Sequence, residues 1–249
     1  MILIRRVYRL ALLCGWQLII WPSLATANLG SYWKAQHNIA KVSLLWGKGI
    51  AWIFGLKIDV VGDVKQLKNG LVVSNHTSYV DILVDAAVLP MRFVPKSSIK
   101  KWPFIGWFVG AGRPIWVDRS SRQKSREAAK AFRDTIDNGV LLLVYPEGAS
   151  TNGKNVKKFK STPFEAVADS DHWITPTLIK YGKTPDGKPI TWHGNMRLLP
   201  HIWRLLGYKK VNVQVTIMDS FKSKGRDRKE LSLYTHGIMQ REYAKSFAE

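Results

Sequence analysis

LVVSNHTSYVDILVD, residues 71–85, is the stretch from which the rest of the chain is read. Leu71-Val72-Val73 is a short β-branched apolar run and reads as a buried strand. Ser74-Asn75-His76 follows at once, and an apolar helical pattern begins near Tyr79 with Asp81 close to its start. A histidine just past a strand, with a carboxylate on the first turn of the next helix, lies where open α/β sheets place their chemistry. Imidazole is the side chain whose ordinary pKa is nearest neutrality. A neighbouring carboxylate can hold the proton of one ring nitrogen and leave the other free to act as a base. No serine or cysteine nucleophile at a recognisable elbow accompanies the pair, so the proton to be removed belongs to a hydroxyl on the substrate. A plainer reading stands beside this one. Ser78 and Asp81 have the spacing of a capping box, in which the acid closes a helix start and the histidine belongs to a turn.

Composition narrows the setting. The chain has 249 residues, enough for one sizeable core. Lys and Arg number 38 against 18 Asp and Glu, a formal net charge of +20. A surface this basic expects anionic partners: lipid headgroups, phosphorylated substrates, an acidic carrier or nucleic acid. Trp16, Trp21, Trp33, Trp46 and Trp52 crowd the N-terminal region. Tryptophan favours the membrane interface, which sets membrane lipid above nucleic acid as the partner. The single cysteine, Cys14, excludes a disulfide framework and is consistent with a reducing compartment.

Arg5, Arg6 and Arg9 precede the apolar segment 10–27. The basic start and Ala25-Thr26-Ala27 suit a cleaved signal peptide. The segment equally suits a retained membrane helix, short for a full span and interrupted by Gln17 and Pro22. A second apolar stretch, Val42 to Ile58, has the pattern of a helix lying in or returning through the interface. Basic residues before position 10 and a basic body after position 60 both favour the cytoplasmic side. A re-entrant hairpin, or two helices on one leaflet, keeps them together and is preferred over a cleaved signal. The organisation expected is a membrane-anchoring helical segment over 1–57 and a catalytic domain over 58–249.

The body alternates strand and helix throughout. Strands are expected at 58–61, 71–73, 92–95, 113–119, 140–144, 173–179 and 211–217, and helices at 121–138, from 162, and at 227–247. Residues 96–112, with two tryptophans and three glycines, read as a surface segment dipping towards lipid or an acyl chain. Val140–Val144 is apolar without a break, which implies burial on both faces. Pro176 marks its strand as an edge, a bulge or a place where the backbone turns. The fold class is therefore α/β, a mixed, largely parallel sheet covered by helices and preceded by membrane-associated helices.

Polar groups recur where these strands end: His76 and Asp81, Asp118 and Arg119, Glu147 and Gly148, then Thr175-Pro176-Thr177. Together they resemble the blocks of the glycerolipid acyltransferases typified by 1-acylglycerol-3-phosphate acyltransferase. N-H-x-S-x-x-D is matched by Asn75 to Asp81, and a glycine followed by a strand ending in arginine by Gly112 to Arg119. F-P-E-G-T-R-S is matched by Tyr145 to Thr151, and an apolar pair around a proline by Ile174 to Thr177. Lys96, followed by Pro103 and Gly106, is also similar to the family pattern.

The resemblance implies an O-acyltransferase in phospholipid biosynthesis. It would move a fatty acyl group from acyl-CoA or acyl carrier protein to the free hydroxyl of a lysophospholipid, most simply 1-acyl-sn-glycerol 3-phosphate. His76 would be the general base and Asp81 would orient it. Lys96, Arg119, Glu147 and Gly148 would hold the acceptor headgroup. Glu147 cannot attract phosphate, so it would fix Arg119 or an acceptor hydroxyl, or cap its own turn. No cofactor or metal is expected. Ser150 stands where the family block has arginine, which weakens lysophosphatidate specifically and opens another lysolipid or a lyso-aminolipid. A non-enzymatic alternative, a basic peripheral membrane-binding protein, leaves the four ordered blocks unexplained.

Overall fold

In the computed structural model, residues 1–118 and 121–245 are described. Two helices open the chain, α1 (Ile2–Ala27) and α2 (Tyr32–Phe54). A short turn folds them into an antiparallel hairpin. Ser31 caps α2 by accepting the Lys34 N–H, and Gly55, at φ 70°, ends it by turning left-handed into β1 (Leu56–Val61). The body continues with β2 (Gly70–Ser74), α3 (Val80–Val88), β3 (Arg92–Phe93), α4 (Ile105–Ala111), α5 (Arg122–Asp137) and β4 (Leu142–Val144). It closes with β5 (Trp173–Tyr181), α6 (Leu198–Leu206), β6 (Val211–Ile217), β7 (Phe221–Lys222) and α7 (Arg228–Lys245).

The strands form one sheet in the order β1-β6-β5-β2-β4-β3, with β7 pairing the start of β5. All pairs are parallel except β5 with β6 and β5 with β7, so the sheet is mixed and largely parallel. Strand β2 lies inside it: Val73 pairs with Val144 on one side and Pro176 on the other. Its side chains divide between two cores with the strand period. Val72 joins Ile50, Phe54, Val80, Val84 and Ile179 beneath α2 and α3. Leu71 and Val73 join Phe132, Ile136, Phe164, Leu231 and Met239 beneath α5 and α7. Helices thus cover both faces.

The hairpin is tied to the body by its basic start. Arg9 is buried and donates to the carbonyls of Phe54 (3.3 Å), Leu206 (3.3 Å), Tyr208 (2.6 Å) and Lys209 (3.2 Å). Arg5 donates to Gly207 O at 2.8 Å, and Arg6 stacks over Trp203 at 5.2 Å. Those carbonyls are the orphaned ends of α2 and α6, and the guanidinium supplies the donors they lack. The start of α1 is therefore fastened directly to the body. Much of α1 presents apolar side chains outward, Leu18 and Ile19 among them.

Several local expectations are corrected. Helix α2 starts at Tyr32, ten residues before the apolar stretch did, and Leu56 and Ile58 already belong to β1. Residues 113–118 carry strand-like side chains but make only an isolated parallel bridge, Val117 with Lys96. The helix expected from Thr162 is a short 3₁₀ turn, Thr162–Ala166, preceded by Ser161. Of the three readings of Pro176 the edge fails, because β5 is interior, while an interruption of the ladder is present opposite it. Pro176 is accommodated because β6 ends at Ile217 and β7 resumes at Phe221, so the residue opposite needs no N–H donor from it. Its carbonyl still accepts the Met218 N–H at 3.0 Å. The helix expected at 227–247 is α7 over Arg228–Lys245, its last two residues lying outside the described ones, and it is opened by the reciprocal capping bonds of Asp227 and Glu230 at 2.8 and 2.9 Å.

Candidate active site

The site starts where β2 stops. Asn75 prolongs the pairing of β2 and β5 with its side chain: Nδ2 donates to Ile179 O (3.1 Å) and Oδ1 accepts the Ile179 N–H (2.7 Å). The main chain is then free to turn outward at His76. The segment that follows β4 holds that turn at two points. The His76 N–H donates to Glu147 Oε1 at 2.6 Å, and the His76 carbonyl accepts the Thr151 N–H at 2.9 Å.

His76 Nδ1 lies 2.9 Å from Asp81 Oδ2. The same oxygen accepts the backbone N–H groups of Thr77 (2.6 Å) and Ser78 (2.8 Å), while Oδ1 accepts the Tyr181 hydroxyl at 2.6 Å. The Asp81 side chain is wholly buried; that of His76 keeps 17% exposure. A carboxylate only accepts, so neutral His76 carries its proton on Nδ1, and Nε2 is the nitrogen left with a lone pair. The histidine contact and a capping contact coexist on this carboxylate. Asp81 accepts the Ser78 N–H as a capping-box acid does, but Ser78 Oγ accepts from Val80 rather than from Asp81.

Beneath the imidazole lies Tyr145, stacked at 4.3 Å between ring centroids and 19° between planes. Its hydroxyl donates to Asp85 Oδ2 at 2.7 Å. Asp85 is fully buried, and burial pushes its carboxyl up to about 8. Tyr145 and Tyr181 are pushed well above the usual phenol range, first by burial and then by the acids beside them.

Glu147 is buried and gives its second oxygen to the Lys157 N–H at 3.0 Å. Burial raises it to about 7, against the opposing pull of the two backbone donors. Both carboxylate oxygens are thus engaged by main chain. Glu147 ties the His76 turn to the lysine-rich segment 154–160 and makes no bond within its own turn, Tyr145 to Gly148. Gly148, at φ 84°, closes the same turn through its N–H to Tyr145 O at 3.1 Å.

Lys96 stands apart from this network, exposed at the bridge with Val117. Arg119 lies outside the described residues. Asp118 pairs with Lys124 at 2.6 Å. Among the other histidines, His201 meets the Tyr79 hydroxyl at 3.0 Å, His172 meets Asp137 at 2.7 Å, and His236 meets Val156 O at 3.0 Å. Sequence reading missed Tyr181, which stands 100 residues from Asp81 with no local signal. It also missed Asp85, whose signal was a second acid one helical turn after Asp81 on an apolar face. Among the described residues no cluster of three or more His, Cys, Asp or Glu is placed to hold a metal ion.

A family model described as Acyltransferase matches residues 57–180, and the chain belongs to that family, in the branch typified by 1-acylglycerol-3-phosphate acyltransferase. It is 30% identical over 163 residues to a lyso-ornithine lipid O-acyltransferase of Pseudomonas aeruginosa, a match covering 64% of this chain and 62% of that protein. It is 26% identical over 227 residues to a 1-acyl-sn-glycerol-3-phosphate acyltransferase of Neisseria gonorrhoeae, covering 88% and 87%. The fold is that of the crystal structure of the 1-acyl-sn-glycerophosphate acyltransferase PlsC from Thermotoga maritima, with a TM-score of 0.68 at 21% identity over 98% of both chains.

Proposed function

We propose that the protein transfers a fatty acyl group from an acyl thioester, acyl-CoA or acyl carrier protein, to the free hydroxyl of a lysolipid at a membrane surface. The observation that carries this reading is the His76–Asp81 pair, with Nδ1 held and Nε2 left at the partly exposed edge of the ring. Nε2 takes the proton of the acceptor hydroxyl as its oxygen attacks the thioester carbonyl. The C–O bond forms, the C–S bond breaks, and the thiolate leaves with the proton that Nε2 gives back. Asp81 stabilises the transient imidazolium and fixes its tautomer. No acyl-enzyme is needed.

Two acceptors remain in play. The family resemblance and the Neisseria relative support 1-acyl-sn-glycerol 3-phosphate, giving phosphatidic acid. Ser150 in place of the block's arginine, and a Pseudomonas relative named for lyso-ornithine lipid, support a lyso-aminolipid, since ornithine brings no phosphate to be neutralised. Lys96, Arg119 and the lysines at 154, 157 and 158 are the cations offered to an anionic headgroup. Membrane attachment is through the outward apolar face of α1, continued by Phe104 and Trp107 ahead of and on α4. The clamp of Arg5 and Arg9 on the body keeps the basic start and the catalytic domain on one side, which the charge distribution makes the cytoplasmic side.

Membranes carrying the protein, assayed with both donors against lysophosphatidate and lyso-ornithine lipid, test the reading. Transfer is expected with at least one pair and is lost in His76→Ala. Full transfer by His76→Ala sinks the mechanism. Ser150→Arg shifts preference towards the phosphorylated acceptor if Ser150 sets the choice.

A further inference from the structure

We propose that Asp85 and Tyr145 are positioning residues for His76: the phenol ring is the floor on which the imidazole lies, and the Asp85 carboxyl holds that floor in place through the tyrosine hydroxyl. The proposal rests on the reading of His76 as the base.

The bond to Asp81 fixes one atom of the imidazole, Nδ1. A ring held at one atom can still rock about that bond, and Nε2, on the far side, moves most. A base displaced by a fraction of an ångström from its hydroxyl loses much of its effect. The face of the ring therefore needs a second constraint. The Tyr145 ring supplies it, nearly parallel at 4.3 Å. Tyr145 is itself tethered, its hydroxyl 2.7 Å from Asp85 Oδ2.

Both constraints come from one helix. Asp81 and Asp85 lie four residues apart on α3, on the same face. The first grips the edge of the imidazole directly and the second grips its floor through Tyr145. A shift of α3 would move both together and leave the ring's relation to them unchanged.

Packing alone does not account for Asp85. It is wholly buried, with the Ser74 hydroxyl close to its carboxyl, and its Oδ1 lies outside hydrogen-bond geometry. A buried carboxyl with an unpaired oxygen costs free energy that an apolar residue avoids. A phenylalanine at 145 would stack as well, but it would leave Asp85 without its donor. The titratable neighbours of Asp85 are Tyr145, reached from the end of β4, Asp81 on its own helix and Tyr181 on β5, with Ser74 of β2 also beside it. Burial keeps Asp85 protonated to about 8, so near neutrality it grips the phenol without placing a second anion beside the dyad.

The test uses the full chain in native membranes. Asp85→Asn still offers an oxygen to the phenol, so its kcat is expected within about threefold of the parent, without the change in activity near pH 8 that ionisation of Asp85 gives the parent. Asp85→Val and Tyr145→Leu are expected to lower kcat about tenfold or more, with acceptor KM within about threefold. They should also speed modification of His76 by diethyl pyrocarbonate relative to exposed His37, a readout that needs no turnover. Parent-like kcat and parent-like His76 modification in both variants overturn the proposal. Should neither fold, Tyr145→Phe decides: a severalfold fall in kcat supports the tether, and an unchanged kcat removes it. His76→Ala, run alongside, separates the two readings. Its activity would remove the base itself, whereas its inactivity beside unaffected Asp85 and Tyr145 variants removes only the positioning pair.

Discussion

At the scale of single residues, the arrangement around Asp81 is unusually complete. One carboxylate gathers the imidazole, two backbone N–H groups and a phenol. An asparagine at this position keeps an oxygen towards His76, Thr77 and Ser78 and turns its amide towards Tyr181, whose hydroxyl can accept as well as donate. The fold survives, but the charge that stabilises the imidazolium is gone. Asp81→Asn is expected to lose kcat by about a hundredfold or more, with a smaller change in melting temperature, as steady-state kinetics and thermal unfolding would show. The buried acids also set a pH dependence of stability. Asp85 and Glu147 are raised in the fold, to about 8 and about 7, from unfolded values of 3.8 and 4.5. The fold holds their protons more tightly than the unfolded chain does. Their contribution is therefore full below about pH 4 and is lost as pH rises through 7 to 8. Thermal unfolding at a series of pH values should show Asp85→Asn gaining stability relative to the parent between pH 5 and 8. The difference between the two removes the charge repulsion of a +20 chain, which acts on both. A constant difference would show that Asp85 does not titrate in this range.

At the scale of elements, the placement of Asp81 depends on how closely α3 approaches α2. A Cβ added at Gly47 would come within 2.3 Å of the Ala86 carbonyl carbon and 2.5 Å of the Ala87 nitrogen. These are backbone atoms in a helix and cannot step aside. Gly47→Ala must push the helices apart, at about 1–3 kcal/mol, and should depress activity because α3 carries both acids beneath His76. Denaturant unfolding and turnover measured on the same preparation check this. Parent-like values for both would show that the contact is soft. The same level explains what could be read in advance. Strand β2 and the turn after it were legible because Leu71 to Val73 and the 76–81 spacing are local signals. Strand β4 was legible from its unbroken apolar run. The first ten residues of α2 were not, because Lys34, Gln36, His37, Asn38 and Lys41 dilute the apolar stripe there and the start is set by Ser31. Residues 113–118 carried strand-forming side chains without a strand partner, and partners are long-range facts. The interior position of β5 was hidden by Pro176, since a break between β6 and β7 cannot be read from the proline itself. In the site, His76 and Asp81 were readable as a pair. Tyr181 was not, because the contact crosses the sheet from β5.

At the scale of the whole molecule, apolar and basic surfaces lie together. Phe104 is 77% exposed and Trp107 is 69% exposed. Phe104 takes a positive φ of 60°, a backbone state that bulky side chains rarely adopt, at the start of α4. Lys96, Lys100 and Lys101 precede it in sequence. A bilayer with anionic headgroups matches both surfaces. Replacing Phe104 and Trp107 together by serine should weaken partition into anionic vesicles about tenfold, leaving turnover in detergent near that of the parent. Vesicle sedimentation measures the first and a detergent assay the second. Unchanged partition would assign attachment to α1 alone.

The Arg9 clamp also carries a consequence in time. Its contact with the Tyr208 carbonyl joins positions 199 residues apart. At ordinary rates of chain elongation the second partner follows the first by about 10–40 s. Throughout that interval α1 is complete but its seat on the body does not yet exist. The packing of α1 on α2 can form early, but its seat beside α6 exists only once the chain has passed Tyr208. The order of synthesis thus leaves the hairpin to form before the segment that its arginines clamp.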